Sequence, residues 1–143
     1  CLRHDLENQH ETNLERKYII MNYTNTPDAP AAIGPYSQAI SANGFLFASG
    51  QVPLMPGTGE IVGTTIEEQA ERACQSIKAI LAANGLGFED VIKTTCFLAD
   101  IADFAAFNEV YARYFTSKPA RSCVAVKALP KGALCEIEAI AVK

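Results

Sequence analysis

A few polar side chains stand out against a largely apolar second half of the chain. Arg121 follows Pro119-Ala120 and opens the run SCVAV, small or apolar residues with one serine. A guanidinium in that setting presents a planar fork of donors that matches a carboxylate bidentately, a task lysine performs less well. A surface arginine with its stem laid along apolar neighbours fits the same pattern. Glu136 and Glu138 alternate with Cys135, Ile137 and Ala139, so on a strand both carboxylates leave one face. Either that face is solvated or charge-protected, or one carboxylate lines a cleft where burial raises its pKa and lets it orient or deprotonate water. Tyr36, in the turn Gly34-Pro35-Tyr36, and Ser49, just before Gly50, place hydroxyls at segment ends, where sites gather. Packing of the Tyr36 ring and closure of a turn by Ser49 are the plainer alternatives.

What the chain lacks narrows the chemistry. Its only histidines, His4 and His10, precede the stretch that reads as a folded domain. A Ser-His-Asp or Cys-His relay and a histidine-based zinc site are thereby excluded from that domain. The cysteines (Cys1, Cys74, Cys96, Cys123 and Cys135) are odd in number and never closer than twelve positions, which fits neither a disulfide framework nor a CxxC motif. Cys123, with no histidine to activate it, reads as a small buried thiol rather than a nucleophile. Asn108 falls mid-helix beside Phe107, where asparagine is unfavourable unless it has a hydrogen-bonding duty or faces solvent. The Gly57-Thr58-Gly59 loop lacks the lysine of a phosphate cradle. A formal net charge of -4 opposes binding to a phosphate backbone, and no apolar run reaches the roughly 20 residues of a membrane helix. The expectation is a cytoplasmic protein that binds neither nucleic acid nor membrane, with any catalysis drawn from Arg, Glu, Tyr, Ser, Cys or the backbone.

The elements that must position these residues follow from periodicity and punctuation. Residues 1–20 are mostly polar and charged and precede Met21; they read as an added leader or, alternatively, a short charged helix, leaving 21–143 as a single domain. A first extended piece at 21–26 leads into a Pro-rich loop, and strands at 38–42 and 45–49 flank Asn43-Gly44, a pair suited to a type I′ turn. Thr65 and Glu68 form a capping-box spacing ahead of an apolar stripe at Ile66, Ala70, Ala73, Ile77 and Leu81, with Asn84-Gly85 ending the helix. A strand at Val91–Leu98 comes next. Asp103 can then cap a second helix with Phe104, Phe107, Val110, Tyr111 and Tyr114 on its buried face. Strands at 121–129 and 133–142 flank the turn Pro130-Lys131-Gly132. The order βββαβαββ predicts an α+β fold in which two helices cover one face of a sheet. Because the last strands are apolar on both sides, self-association is expected to cover the other face; a dry but shallow surface on a monomer is the plainer alternative.

Four separated segments occur in an order and spacing that resemble the RidA/YjgF family: GPYSQA at 34–39, ASGQVP at 48–53, VIKTTCFLAD at 91–100 and PARSCVAVKALPKGALCEIEAIAV at 119–142. The resemblance spans essentially all of 21–143. It implies a chorismate-mutase-like (bacillus type) fold with a mixed sheet, and a homotrimer whose sheets form a central barrel with clefts between neighbouring subunits. It implies hydrolysis of 2-aminoacrylate, 2-aminocrotonate and related enamine or imine acids to 2-keto acids and ammonia, without a cofactor or metal. By the same resemblance Arg121 of the ARS motif binds the substrate carboxylate and Glu136 of EIE positions and activates water. Tyr36 and Ser49 line the pocket, the backbone of Cys123 bonds the substrate nitrogen, and Asn108 is a further lining residue. The segment Thr116-Ser117-Lys118 is shorter than in some relatives, and residues 1–20 have no family counterpart. A non-catalytic, metabolite-binding regulatory protein is the competing expectation.

Overall fold

The structure, a computed structural model, describes residues 20–143. The leader expected at 1–20, with both histidines and Cys1, lies outside the described residues except for Ile20. Six strands and two helices follow the expected order: β1 (Asn22–Thr24), β2 (Ala39–Ala42), β3 (Phe45–Gln51), α1 (Ile66–Ala83), β4 (Val91–Leu98), α2 (Phe104–Tyr114), β5 (Ala120–Ala125) and β6 (Cys135–Val142). They build one mixed sheet in the spatial order β1-β2-β3-β6-β4-β5. Only the β4–β5 pair is parallel; α2 connects the two, since parallel neighbours need a crossover that no tight turn can supply.

Local chemistry explains several of these boundaries. Asn43 and Gly44 both take positive φ, 52° and 78°, as the turn between β2 and β3 requires. At the head of α1, the Thr65 hydroxyl accepts from the Glu68 N–H at 3.3 Å and donates to the Glu68 carboxylate at 3.1 Å. The box therefore closes on the hydroxyl rather than on the Thr65 backbone. All five residues of the expected α1 stripe are buried. At its far end the Asn84 amide donates to the Ile80 carbonyl and to the Thr24 hydroxyl, tying the helix to β1.

The second helix departs from expectation at both ends. Asp103 makes no side-chain cap, because its own backbone is already helical. Asp100 does the capping, accepting from the Ala102 N–H at 2.9 Å where a 3-10 turn, Ile101–Asp103, leads into α2. Phe107, Val110 and Tyr111 are buried as expected, but Phe104 is 37 % exposed and Tyr114 only partly buried. Phe115, just past the helix, is the aromatic that enters the core, stacked on Tyr111 at 4.3 Å and edge-on to Phe88 at 4.9 Å.

The last two strands are shorter than their apolar runs. β5 stops at Ala125, not Leu129: it is the sheet edge, and beyond Val126 no second neighbour holds the chain. β6 starts at Cys135, not Ala133, because the Leu134 N–H donates to the buried Gln69 side chain at 2.8 Å.

The core lies between the helices and one sheet face, where Leu46, Val91, Cys96, Leu98, Cys135 and Ile137 meet Ala73, Ile77, Ile80 and Phe107. The opposite face carries a row in register across the sheet, Tyr23, Ile40, Phe47, Ile140 and Lys93. Phe45 and Val142 continue its apolar part, and Tyr23, Phe45, Phe47, Val124 and Val142 are all exposed. No helix among the described residues covers this side, as expected. Among the described residues no helix is long and apolar enough to cross a membrane.

Candidate active site

Glu136 stands on the helix-free face of β6, opposite Phe97 of β4, and Glu138 follows on the same face. Both flanking residues, Cys135 and Ile137, are fully buried on the helix side. The carboxylate of Glu136 is half-buried, and burial pushes its pKa above the ordinary glutamate value; the neighbouring Glu138 charge pushes in the same direction. A carboxyl with a raised pKa holds a proton more readily, which suits it to take one from water and return it.

A bulge in β3 makes room for that carboxylate. Ala48 pairs with Ala139 and Gln51 with Ile137, so Ser49 and Gly50 share a single opposing residue, Glu138. Bulges re-aim side chains, and here Ser49 turns toward the Pro-rich loop. Its hydroxyl donates to the Ser37 carbonyl at 2.6 Å and its N–H to the Gln38 carbonyl at 2.9 Å. Gly50 lies so close to Glu136 that an added Cβ would overlap the carboxylate, with the carboxyl carbon only 2.8 Å away. Tyr36, Ser49, Gly50, Lys131 and Glu136 line one cavity of about 410 Å³, walled elsewhere by apolar side chains such as Ile33 and Leu54. Lys131 reaches it from a left-handed backbone position, φ 56°, and its ammonium donates to the Gly59 carbonyl at 2.5 Å.

Arg121 belongs to a second cleft, of about 280 Å³, shared with Asn108, Tyr111 and Lys118. Its Nη1 donates to the Asn108 side-chain oxygen at 2.8 Å, which is the hydrogen-bonding duty that a mid-helix asparagine implies. The guanidinium carbon sits 4.7 Å from the Tyr111 ring centroid and 5.6 Å from that of Phe104. Cys123, two residues on, is half-buried; burial pushes its thiol up, partly offset by the Arg121 charge. Cys74, Cys96 and Cys135 are fully buried free thiols. Burial pushes Cys96 and Cys135 each to about 12, so none is a thiolate near neutral pH. Among the described residues no group of His, Cys, Asp or Glu could hold a metal ion.

The six residues singled out in the sequence therefore fall into two sets. Tyr36, Ser49 and Glu136 meet in one cavity; Arg121 and Asn108 meet in the other, with Cys123 on the same strand. The two sets do not meet within one protomer. Arg121 pairs with Thr94 and Thr94 with Ala139, all on the helix side, whereas Glu136 faces away from the helices. Sequence reasoning missed Gly50, Lys131, Phe104 and Tyr111 as neighbours of these groups; the Ser-Gly pair at the end of β3 was the one usable signal.

The family model described as endoribonuclease L-PSP matches residues 26–143. A RutC family protein of Pyrococcus horikoshii is 57% identical over 119 residues, 82% of this chain and 94% of the relative. The chloroplastic Reactive Intermediate Deaminase A of Arabidopsis thaliana is 50% identical over 117 residues, 81% of this chain and 63% of the relative. Among solved structures, E. coli TdcF with bound serine superposes with a TM-score of 0.81 at 45% identity, covering 85% of this chain and 98% of that one. The motifs at 34–39, 48–53 and 119–142 supply lining residues of the two clefts, and on the family model and these relatives the chain belongs to the RidA/YjgF family.

Proposed function

We propose that this protein hydrolyses 2-aminoacrylate, 2-aminocrotonate and related imine acids to 2-keto acids and ammonia, at sites shared between protomers of a cytoplasmic homotrimer. The observation that carries the reading is the half-buried Glu136 beside Tyr36 and Ser49, its pKa raised by burial and by Glu138. The Arabidopsis relative named a reactive intermediate deaminase supports it.

The reaction needs little more than orientation. The enamine acid tautomerises to an imine, water adds to C2, and the resulting carbinolamine expels ammonia to leave the keto group. Glu136 takes the proton of the attacking water and delivers it to the departing nitrogen, while Arg121 pairs with the carboxylate and holds C2 in place. Tyr36, Ser49 and Asn108 line the cleft, and the Cys123 backbone bonds the substrate nitrogen. Since Arg121 and Glu136 face opposite sides of one sheet, one protomer supplies the carboxylate grip and a neighbour the carboxylate base. The exposed face with Phe45, Phe47, Ile140 and Val142 is the surface that packing into a central barrel would cover.

Adding the protein to a serine or threonine dehydratase reaction should speed the release of ammonia and keto acid, and Arg121→Ala and Glu136→Gln should each abolish that gain. Mixed assemblies of the two inactive variants should regain about a quarter of wild-type activity, since that share of clefts would combine an intact arginine with an intact glutamate. Keto-acid binding with no acceleration by the wild type would favour a regulatory, metabolite-binding role. Unchanged activity in Arg121→Ala would remove the carboxylate anchor, and zero recovery in mixed assemblies would remove the shared site.

A further inference from the structure

Arginine is a flexible side chain, and a flexible guanidinium grips a carboxylate only after giving up its rotamer freedom. In this structure that freedom is already restricted. The guanidinium of Arg121 lies against two aromatic rings, 4.7 Å from the Tyr111 centroid and 5.6 Å from the Phe104 centroid, both within the range of cation–π attraction. Asn108 takes one Nη1 hydrogen at 2.8 Å, the only hydrogen bond of the guanidinium to protein among the described residues. Tyr111 is itself fixed. Its hydroxyl and the buried Thr94 hydroxyl are 2.7 Å apart, and its ring stacks on Phe115 at 4.3 Å and 17°. The rigidity of the core thus extends through Thr94, Phe115 and Tyr111 to the guanidinium. Phe104 completes the arrangement from the first turn of α2. It is 37 % exposed and outside the buried core, so its ring is available to the guanidinium without being needed for packing.

We propose that Phe104 and Tyr111 form an aromatic clamp that presets the Arg121 guanidinium for a carboxylate, making both of them positioning residues for substrate binding. The inference rests on the carboxylate-binding role proposed above for Arg121. The clamp leaves the remaining N–H donors of the fork for the ligand, and it acts on binding rather than on the hydrolytic step at Glu136.

Phe104 is the residue to vary, because its removal leaves the core intact. Phe104→Leu should keep its urea unfolding midpoint, while the dissociation constant for 2-oxobutanoate and the KM for the imine acid rise by about three- to tenfold, as loss of one cation–π contact implies. The kcat should stay within about twofold, because the clamp does not touch the water-activating carboxylate. Binding of the neutral 2-oxobutanamide should not change, and Phe104→Trp should restore carboxylate affinity. Wild-type affinity and KM in Phe104→Leu, measured beside an Arg121→Ala control that no longer binds 2-oxobutanoate, would overturn the clamp and leave the carboxylate grip standing. An equal loss for acid and amide would also overturn it, showing a shape effect instead. Full binding by Arg121→Ala would overturn both the clamp and the role on which it rests.

Discussion

Gln38 is the residue on which the Pro-rich loop of the Glu136 cavity depends. It is 3 % exposed. Its side-chain oxygen accepts from the Thr26 N–H at 2.8 Å, and its amide donates to the carbonyls of Thr26 and Pro30 at 3.0 Å each and of Ala29 at 3.4 Å. Methionine has nearly the same length and volume but none of these partners. Discounting the longest bond, Gln38→Met strands three backbone groups, each costing about 1.5 kcal/mol when buried unpaired. The better burial of a thioether offsets about 1.5 kcal/mol, so the net loss is about 3 kcal/mol. For a slope of about 2 kcal/mol/M in urea, the unfolding midpoint should fall by about 1.5 M at fixed protein concentration. Activity should fall further than stability alone predicts, because Tyr36 and the Ser37 carbonyl that holds Ser49 ride on the same loop. A midpoint shift under about 0.5 M would refute the reasoning, since it would mean that the loop keeps its shape without these bonds.

Two other substitutions probe the carboxylate. Gly50→Ala should displace Glu136, whose carboxyl carbon lies 2.8 Å from where the methyl would sit; imine hydrolysis should fall at least about tenfold while circular dichroism stays native, and near-wild-type turnover would contradict the close approach. The activity should have an acid limb set by Glu136, centred above the ordinary glutamate pKa because burial and Glu138 both favour the proton. Glu138→Gln removes the second cause and should move that limb to lower pH; a limb that stays put would mean that another group governs it. Stability has the matching sign. A carboxyl whose folded pKa is raised destabilises the fold as pH climbs from the unfolded value through the folded one, so Glu136→Gln should flatten that decline in a pH series of unfolding midpoints.

How much of this could be read from the sequence depended on whether a signal was local. The Asn43-Gly44 turn, the Thr65–Glu68 box and the α1 stripe each involve residues within a few positions of one another, and each is present in the structure. For Asn108 the sequence left a hydrogen-bonding duty and a solvent-facing position both open, and the structure shows the hydrogen bond, to Arg121. What failed depended on distant neighbours. β5 ends early because it is an edge strand, a fact of sheet order and not of its own apolar run. β6 starts late because Gln69, far back in α1, takes the Leu134 N–H. Phe104 follows the helical period yet lies against a guanidinium from another element, while Phe115, off the end of the helix, takes the core position.

Strand parity explains why the candidate site residues divide into two sets. In β6 the residues Cys135, Ile137 and Ala139 are buried against the helices and Glu136 and Glu138 face away. The antiparallel pairing of Thr94 with Ala139 puts Thr94 on the helix side, and the parallel pairing of Thr94 with Arg121 carries that side to β5. Arg121 and Glu136 thus sit two strands apart, roughly 10 Å across the sheet, and project from opposite faces. No rotamer change in either side chain takes it through the intervening backbone. Slipping either strand by one residue would place both groups on one face, but slipping β6 would turn Cys135 and Ile137 out of the core and slipping β5 would turn Cys123 away from it. The buried alternation therefore fixes the separation of the guanidinium from the carboxylate within one chain, which is the reason the mechanism proposed above takes them from two protomers.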